Sequence, residues 1–389
     1  LNIALFCDIF TPQVNGVVTA TVAMAKGLAD GGHKVHIIAP RFKSNFKELK
    51  HKNIIVHRIF SVPALFYEEF RFALISTRSL IKLIKKFNIQ VIHYNGTQFL
   101  ARQAIKVGKK QNIPVVGTFH TFFADPEYLK QIKLDFKFME KATWKFLNSF
   151  FNNTDFVTSP APSTRDAMLK MGCKTPIKVI SNGIDINFFK KKAKPKSKSN
   201  SKPKGKTLLF IGRVAYEKSV DVLIESFKLV VQKAPDTKLL IVGSGPQFDL
   251  IKKQIIDLKL EKSVNLVGRI PYDKLVNSGM INDADIFVTA SKTENQPLTI
   301  LESQACGLPC VGVNKRGVPD LIINGENGFI VKADSPKLFA DAILKLVQDG
   351  VVFNKMKKGT NKLVKQHDLK NVIPVWEKTL NDLIKNSKK

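Results

Sequence analysis

Ile286-Phe287-Val288-Thr289-Ala290-Ser291-Lys292-Thr293-Glu294-Asn295-Gln296-Pro297-Leu298-Thr299-Ile300-Leu301-Glu302-Ser303-Gln304-Ala305 decides how this chain is read. Ile286 to Ala290 is apolar and β-branched enough for a short buried strand. Polar residues and Pro297 then open a helical pattern, Leu298 to Ala305, which stops at Gly307-Leu308-Pro309. Pro297 suits the first helical position, where its missing N–H is one the helix leaves unpaired anyway. The next N–H groups, on Leu298 and Thr299, then point out of a helix start that carries partial positive charge and favours phosphate. Glu294 before the helix and Glu302 inside it frame that start. Carboxylates repel a phosphate, so these two suit another task, accepting hydrogen bonds from sugar hydroxyls. Spacing alone fits equally an ordinary βα turn with solvated glutamates.

The beginning of the chain repeats the strand–helix alternation. Strand-like Ile3 to Phe6 leads through Asp8 to Val17 into a helical pattern, Thr19 to Ala29, closed by Gly31-Gly32. His33 to Pro40 is a second strand, and the βαβ order implies a parallel sheet with Rossmann-like winding. No G-x-G-x-x-G follows the first strand, so a dinucleotide fingerprint is absent. Gly243-Ser244-Gly245 ends a later strand, but Phe248 stands where a third glycine belongs. In the first loop, Asn15-Gly16 either lets backbone approach a ligand closely or makes a plain turn. Val91 to Tyr94 and Val115 to Thr121 are further strands, with His120 at a strand end, the usual place for ligand groups in an open parallel sheet. His93 is the weaker of the two histidines. Asp283-Ala284-Asp285 is formally D-x-D but reads as a helix-to-strand turn, and Asn324 to Val331 as a hairpin-like return. Val375 to Lys385 is an amphipathic final segment.

Length and composition bound the class. A chain of 389 residues makes two or three ordinary domains, and 44% hydrophobic content is normal for a globular protein. Lys190 to Lys206 holds Lys, Ser, Pro, Asn, Gly and one Ala without an acidic residue, so it reads as a flexible linker. The formal net charge is +30, from 62 Lys and Arg against 32 Asp and Glu. Such a surface suits an anionic partner: nucleic acid, an anionic membrane or an anionic small substrate. No recognisable nucleic-acid-binding motif accompanies it, and the Lys, Asn, Ile and Phe bias also fits a solvated surface shaped by an AT-rich genome. No apolar run is long and uncharged enough to span a bilayer. The first residues read as a strand, not a signal peptide, and the absence of an initiator Met leaves the native start open. Cys7, Cys173, Cys306 and Cys310 lack the spacing of a zinc site or a disulfide framework and read as small buried thiols of a reducing cytosol.

Two segments mix basic, apolar and aromatic residues. Residues 61–90 carry Phe70, Arg71, Lys82, Lys85 and Lys86 among apolar residues at helical spacing. Lys130 to Phe151 has similar chemistry and includes Trp144. A basic amphipathic segment either lies in an anionic lipid interface or packs on the sheet with its lysines in water.

The Glu-x7-Glu spacing of Glu294 and Glu302, after a strand and in a helix ending in Gly-Leu-Pro, resembles the donor-site signature of retaining glycosyltransferases of family 4. Gly212-Arg213 and Glu217-Lys218 match the segment whose basic pair holds the donor pyrophosphate. Val264 to Ile270 resembles the strand and loop whose backbone reads the base, and Asn182-Gly183-Ile184-Asp185 the segment before the interdomain linker. Gly117-Thr118-Phe119-His120 matches the position of the active-site histidine in members that glycosylate lipids.

The resemblance implies an α/β GT-B fold: two Rossmann-like doubly wound domains facing each other across a cleft. Residues 1–189 would form the acceptor-binding domain, 190–206 the Lys-rich linker, 207–370 the nucleotide-sugar domain, and 371–389 a helix crossing back to the first. It implies His120, Arg213, Lys218 and Glu294 as catalytic residues. For the donor it implies Gly16, Arg213, Lys218, Gly268, Arg269, Ile270, Glu294, Pro297, Leu298, Thr299 and Glu302, with Glu294 on the sugar and Glu302 on the ribose. Many relatives have Gly where Pro297 stands, so phosphate contact here rests on Leu298 and Thr299. Phe70, Arg71, Lys82, Lys85, Lys86 and Trp144 are acceptor or membrane candidates. No metal and no cofactor is implied beyond the nucleotide sugar as substrate.

The implied reaction moves a hexose from a nucleotide sugar, UDP-glucose foremost, to a lipid such as diacylglycerol, on a cytoplasmic enzyme attached peripherally to the inner face of the cell membrane. The alternatives are a mannosyl- or other hexosyltransferase acting on phosphatidylinositol, a polysaccharide or a soluble sugar, and a catalytically silent nucleotide- or lipid-binding module. Nucleic acid is not expected as a partner.

Overall fold

The computed structural model describes residues 1–42, 46–64, 67–122, 125, 137–191 and 205–387. The described chain forms two compact units. The first holds residues 1–122, 137–184 and 369–387, and the second 185–191 and 205–368 together with Asp125.

In the first unit, strands β1 (Asn2–Phe6), β2 (Lys34–Pro40) and β3 (Ile54–Ile59) are followed by β4 (Ser61–Ala64) and β5 (Tyr67–Ala73). Then come β6 (Val91–Tyr94), β7 (Val115–Thr118), β8 (Phe156–Ser159) and β9 (Ile177–Val179). Seven of these make one sheet in the order β3-β2-β1-β6-β7-β8-β9, with every pairing parallel. Helices cover both faces, so the central strands are apolar on both sides. Ile3 and Leu5 face a core with Met24, Leu28 and Trp376, while Ala4 and Phe6 face one with Tyr94, Trp144 and Phe150. Trp376 belongs to the Leu369–Asn386 helix, which packs against the Gly16–Asp30 helix. That helix starts at Gly16, ahead of the expected Thr19, because the Asn15 side chain accepts the Val18 N–H at 3.0 Å and caps it.

Residues 61–90 depart from the expected single helical period. β4 and β5 form an antiparallel hairpin, and only Thr77–Lys86 is helical, capped by Ser76. The decisive pattern is period two, in which Ala73 is buried while Val62 and Phe72, cross-strand partners, are exposed. The expected linker lies largely outside the described residues, as does the Lys130–Phe136 part of the second basic segment.

In the second unit, β10 (Thr207–Ile211), β11 (Lys238–Val242), β12 (Val264–Gly268), β13 (Ile286–Val288), β14 (Cys310–Val313) and β15 (Gly328–Val331) form a parallel sheet. Its order is β12-β11-β10-β13-β14-β15. β15 runs parallel to β14, so residues 324–331 are a crossover turn and strand and not the expected hairpin arm. Asp285 accepts the Thr207 N–H at 2.9 Å, which gives the D-x-D segment a structural task at the start of β10.

Both sheets reverse direction of growth once. In the first the reversal lies between β1 and β6, and in the second between β10 and β13. Crevices at the carboxyl ends of such strand pairs are where open α/β sheets take ligands. Phe227, fully buried on the Val220–Lys233 helix, anchors the second core with Leu208 and Phe210. Phe227→Ala is expected to cost about 3–5 kcal/mol, read as a lower urea midpoint.

Candidate active site

At the β10–β13 reversal, two loops lock together. The loop after β10 ends in a turn, Tyr216–Lys218, and the loop after β13 runs to Pro297. Arg213 Nη2 donates to Glu217 Oε1 at 2.7 Å, and Lys218 Nζ donates to Glu294 Oε1 at 2.5 Å. Ser291 Oγ donates to the same Glu294 oxygen at 2.9 Å. The main-chain oxygen of Glu217 accepts the Lys292 N–H at 3.0 Å, with Ser291 Oγ 3.5 Å away. The site therefore brings Arg213, Lys218 and Glu294 together, and adds Glu217, which sequence reasoning passed over. Its signal was present as an acidic residue four positions after Arg213.

Burial raises the proton affinity of Glu294, but the Lys218 charge and the hydrogen bonds from Lys218 and Ser291 outweigh it and hold the carboxyl below its usual range. Two glycines let neighbouring loops brace this pair. Gly317 N–H donates to Glu294 O at 2.9 Å, and a Cβ there would lie 1.5 Å from Asn295 O. A Cβ on Gly245 would lie 2.4 Å from Val214 O.

Pro297 sits at the N-cap, one place before the first helical position expected for it, and Leu298–Ala305 is the helix. Leu298 and Thr299 still open it, while the Ile300 N–H already bonds to Pro297 O at 3.2 Å. Proline displaced to the cap leaves the first turn's donors to the two residues after it. Glu302 is 2% exposed, and Tyr272 Oη donates to its Oε1 at 2.6 Å. Burial pushes this carboxyl up to about 7, although the Tyr272 bond works the other way. Gly268 closes β12 at φ +83°, and Arg269 after it is exposed.

The first unit offers a second crevice, at the β1–β6 reversal. Gly16 stands at the start of its helix with open space beside it. His120 Nε2 lies 3.2 Å from Asn95 Oδ1, and burial lowers its pKa to about 4, so it is a neutral imidazole at neutral pH. His93 is buried, bonded to Thr118 Oγ1 at 2.6 Å, and its ring lies 5.0 Å from that of Trp376, a core residue, tilted by 38°. Asp8, also not singled out from the sequence, accepts the Gln98 and Leu100 N–H groups at 3.1 and 2.8 Å. It caps the Phe99–Gln111 helix from another strand, since Gln98 makes no side-chain cap. Burial raises Asp8 to about 6.

Among the membrane candidates, Lys82, Lys85 and Lys86 are exposed, on a helix whose Leu80 and Ile84 are buried. Arg71 is held in the hairpin by Ser61, through Oγ at 2.9 Å and the carbonyl at 2.7 Å. Trp144 is 4% exposed and stacks on Phe119, so it serves the core and presents no membrane surface. Its place on the buried face of the Lys137–Phe151 helix decides this. The side chain of Phe70 lies outside the described residues. Among the described residues no group of three or more His, Cys, Asp or Glu is placed to hold a metal ion.

The Glu302 carboxyl yields a stability prediction with a definite sign. Its folded pKa stands above the unfolded value, so its contribution is full at acid pH and is lost as pH rises through about 7. Glu302→Gln should therefore raise the melting temperature relative to the unchanged protein at pH 8, and by less at pH 5.

Comparison with known proteins places this arrangement. The Glycosyltransferase Family 4 model matches residues 14–188, and the Glycosyl transferases group 1 model matches residues 191–363. The alpha-monoglucosyldiacylglycerol synthase of Streptococcus pneumoniae is 28% identical over 319 residues, covering 80% of this chain and 70% of that protein. The protein of the same name from Acholeplasma laidlawii is 28% identical over 340 residues, 84% of each chain. Anabaena Alr3699/HepE, solved in complex with UDP, superposes with a TM-score of 0.78 at 18% identity, over 98% of this chain and 100% of that one. The chain belongs to glycosyltransferase family 4: it is a GT-B enzyme that moves a sugar from a nucleotide donor.

Proposed function

We propose that the enzyme transfers glucose from UDP-glucose to diacylglycerol, with retention at the anomeric carbon, at an anionic membrane surface. The observation that carries the lipid acceptor is the exposed face of the β4–β5 hairpin. Phe60, Val62, Phe72 and Leu74 share that face, at 62%, 37%, 44% and 48% exposure, with Val62 opposite Phe72 and Leu74 bonded to Phe60. Exposed Lys82, Lys85 and Lys86 follow on the next helix. Contiguous apolar surface beside lysines suits an interface of acyl chains and anionic headgroups. No described helix is long and apolar enough to cross a membrane. The names of the two synthases agree with this acceptor, and the UDP bound by HepE agrees with a uridine donor.

In this reading Arg213 and Lys218 leave their carboxylates to meet the donor diphosphate. The Leu298 and Thr299 N–H groups add the helix-start charge. Glu294 takes hydroxyls of the glucose and Glu302 those of the ribose, while the backbone at Gly268, Arg269 and Ile270 lies along the base. Gly16 leaves room for the diphosphate or acceptor. The neutral His120 imidazole hydrogen-bonds a hydroxyl of the glucose or the acceptor. Charge builds on the leaving diphosphate as the glycosidic bond breaks, and donors already in place stabilise it most. No protein nucleophile is assigned.

Radiolabelled UDP-glucose with diacylglycerol liposomes, with and without anionic lipid, tests the whole reading. Glucosyl-diacylglycerol formed faster on anionic liposomes is the expected result. UDP-glucose hydrolysis without lipid product would move the acceptor to the soluble class, and no binding of UDP-glucose would overturn the donor assignment. Arg213→Ala should lower kcat about 10²–10³-fold. Glu294→Ala should abolish turnover, whereas a silent binding module would keep its ligand unchanged.

A further inference from the structure

Glu302 poses a question that the donor assignment alone does not answer. The residue is 2% exposed, yet only Oε1 has a protein partner among the described residues, the Tyr272 hydroxyl at 2.6 Å. Oε2 has no protein partner among the described residues, and it is not one of their buried unpartnered atoms, so it opens to the crevice. A carboxylate held at one oxygen and open at the other can accept from a ligand. Tyr272 opens the Tyr272–Ser278 helix immediately after the Gly268–Ile270 segment, and it is half-buried. One short stretch thus carries both the backbone that lies along the base and the phenol that grips Glu302.

We infer that Tyr272 is a positioning residue for the donor's ribose: its hydroxyl fixes one oxygen of Glu302 and leaves the other to accept from the ribose diol. The inference rests on the assignment of Glu302 to the ribose. The phenol is suited to this because burial and the adjacent carboxylate push its own pKa up, so it stays a donor. A fixed phenol also constrains the carboxylate far more tightly than water would, and it links ribose recognition to base recognition through a single hydrogen bond.

The arrangement has a pH signature. Burial raises Glu302 to about 7, and the Tyr272 bond restrains that rise. The ionised carboxylate accepts from the ribose, so nucleotide affinity weakens as pH falls through that value. Loss of the phenol removes the restraint and moves the weakening to higher pH. Other ionisable groups near the helix do not account for it. Cys306, one turn on, is pushed up to about 12 and stays neutral. His367, on the Val364–His367 turn packed against the helix, is lowered to about 4 by burial and is neutral in this window. Lys357 approaches Gly307 beyond the helix end, and Lys190, on the Ile186–Lys191 helix packed against it, is exposed.

The test is UDP binding by calorimetry from pH 5.5 to 8.5, with 2′,3′-dideoxy-UDP as the ribose probe. Both nucleotides lose affinity as the terminal phosphate protonates, at a pKa of about 6; beyond that shared loss, the unchanged protein should bind UDP more weakly below about pH 7, and dideoxy-UDP should show only the shared loss. Tyr272→Phe should weaken UDP binding about tenfold near neutral pH, the scale of a hydrogen bond to a charged group, and shift the pH midpoint upward. Tyr272→Gln, which keeps an N–H donor, should recover part of both. UDP affinity and midpoint unchanged in Tyr272→Phe, with Glu302→Ala weakened, overturns the role of Tyr272 and leaves the ribose assignment standing. Unchanged UDP affinity in Glu302→Ala overturns the ribose assignment and the role of Tyr272 with it.

Discussion

Glu217 is the residue on which the crevice at the β10–β13 reversal hangs. It is 3% exposed, and Arg213 pairs with it. Its main-chain oxygen meanwhile accepts the Lys292 N–H from the loop after β13. Ser291 and Lys218 then fix Glu294. The Glu217 side chain holds its own loop through Arg213, and its backbone carbonyl joins that loop to another, 76 positions apart along the chain at Lys218 and Glu294. Without that junction the basic pair and Glu294 would belong to two independent loops.

The first unit solves an analogous problem by other means. Asp8 at the end of β1 reaches across the reversal and caps a helix entered from β6. Gly96 at φ +154° lets the backbone come close, with a hypothetical Cβ only 3.0 Å from the Asp8 oxygen. In both units the polar residues cluster where the strand order reverses, and the apolar strands beneath supply a rigid platform for them. Such a platform matters for transfer chemistry, in which a displacement of about 1 Å costs about two orders of magnitude in rate.

What the sequence disclosed follows from the same physics. Parallel strands buried on both faces are apolar throughout, so β1, β2, β10 and β13 stand out as runs, and Pro297 and Gly307 bracket the helix between them. Arg213, Lys218 and Glu294 stood out through the resemblance of the segments after such runs to the family's donor-site signature, and the structure brings the three together. Tyr272, Asp8 and Glu217 were not, because each acts through a hydrogen bond whose partner lies elsewhere in the chain, and such bonds leave no local period. Residues 61–90 misled for a related reason. A short hairpin followed directly by a helix mixes periods of two and 3.6, and the lysines belong only to the second. Trp144 misled because an aromatic residue flanked by lysines looks interfacial, although its ring lies on the helix face turned to Phe119.

The pairing of Arg213 with Glu217 and of Lys218 with Glu294 sets two cations against two carboxylates in the β10–β13 crevice. On the proposed function an arriving diphosphate would not fall into an open positive well; it would exchange places with two carboxylates. The long-range field, set by a net charge of +30, would remain to draw the chain to an anionic bilayer. Ionic strength would weaken that longer-range attraction more than the contacts of a partly buried donor pocket, because screening grows with separation and with exposure.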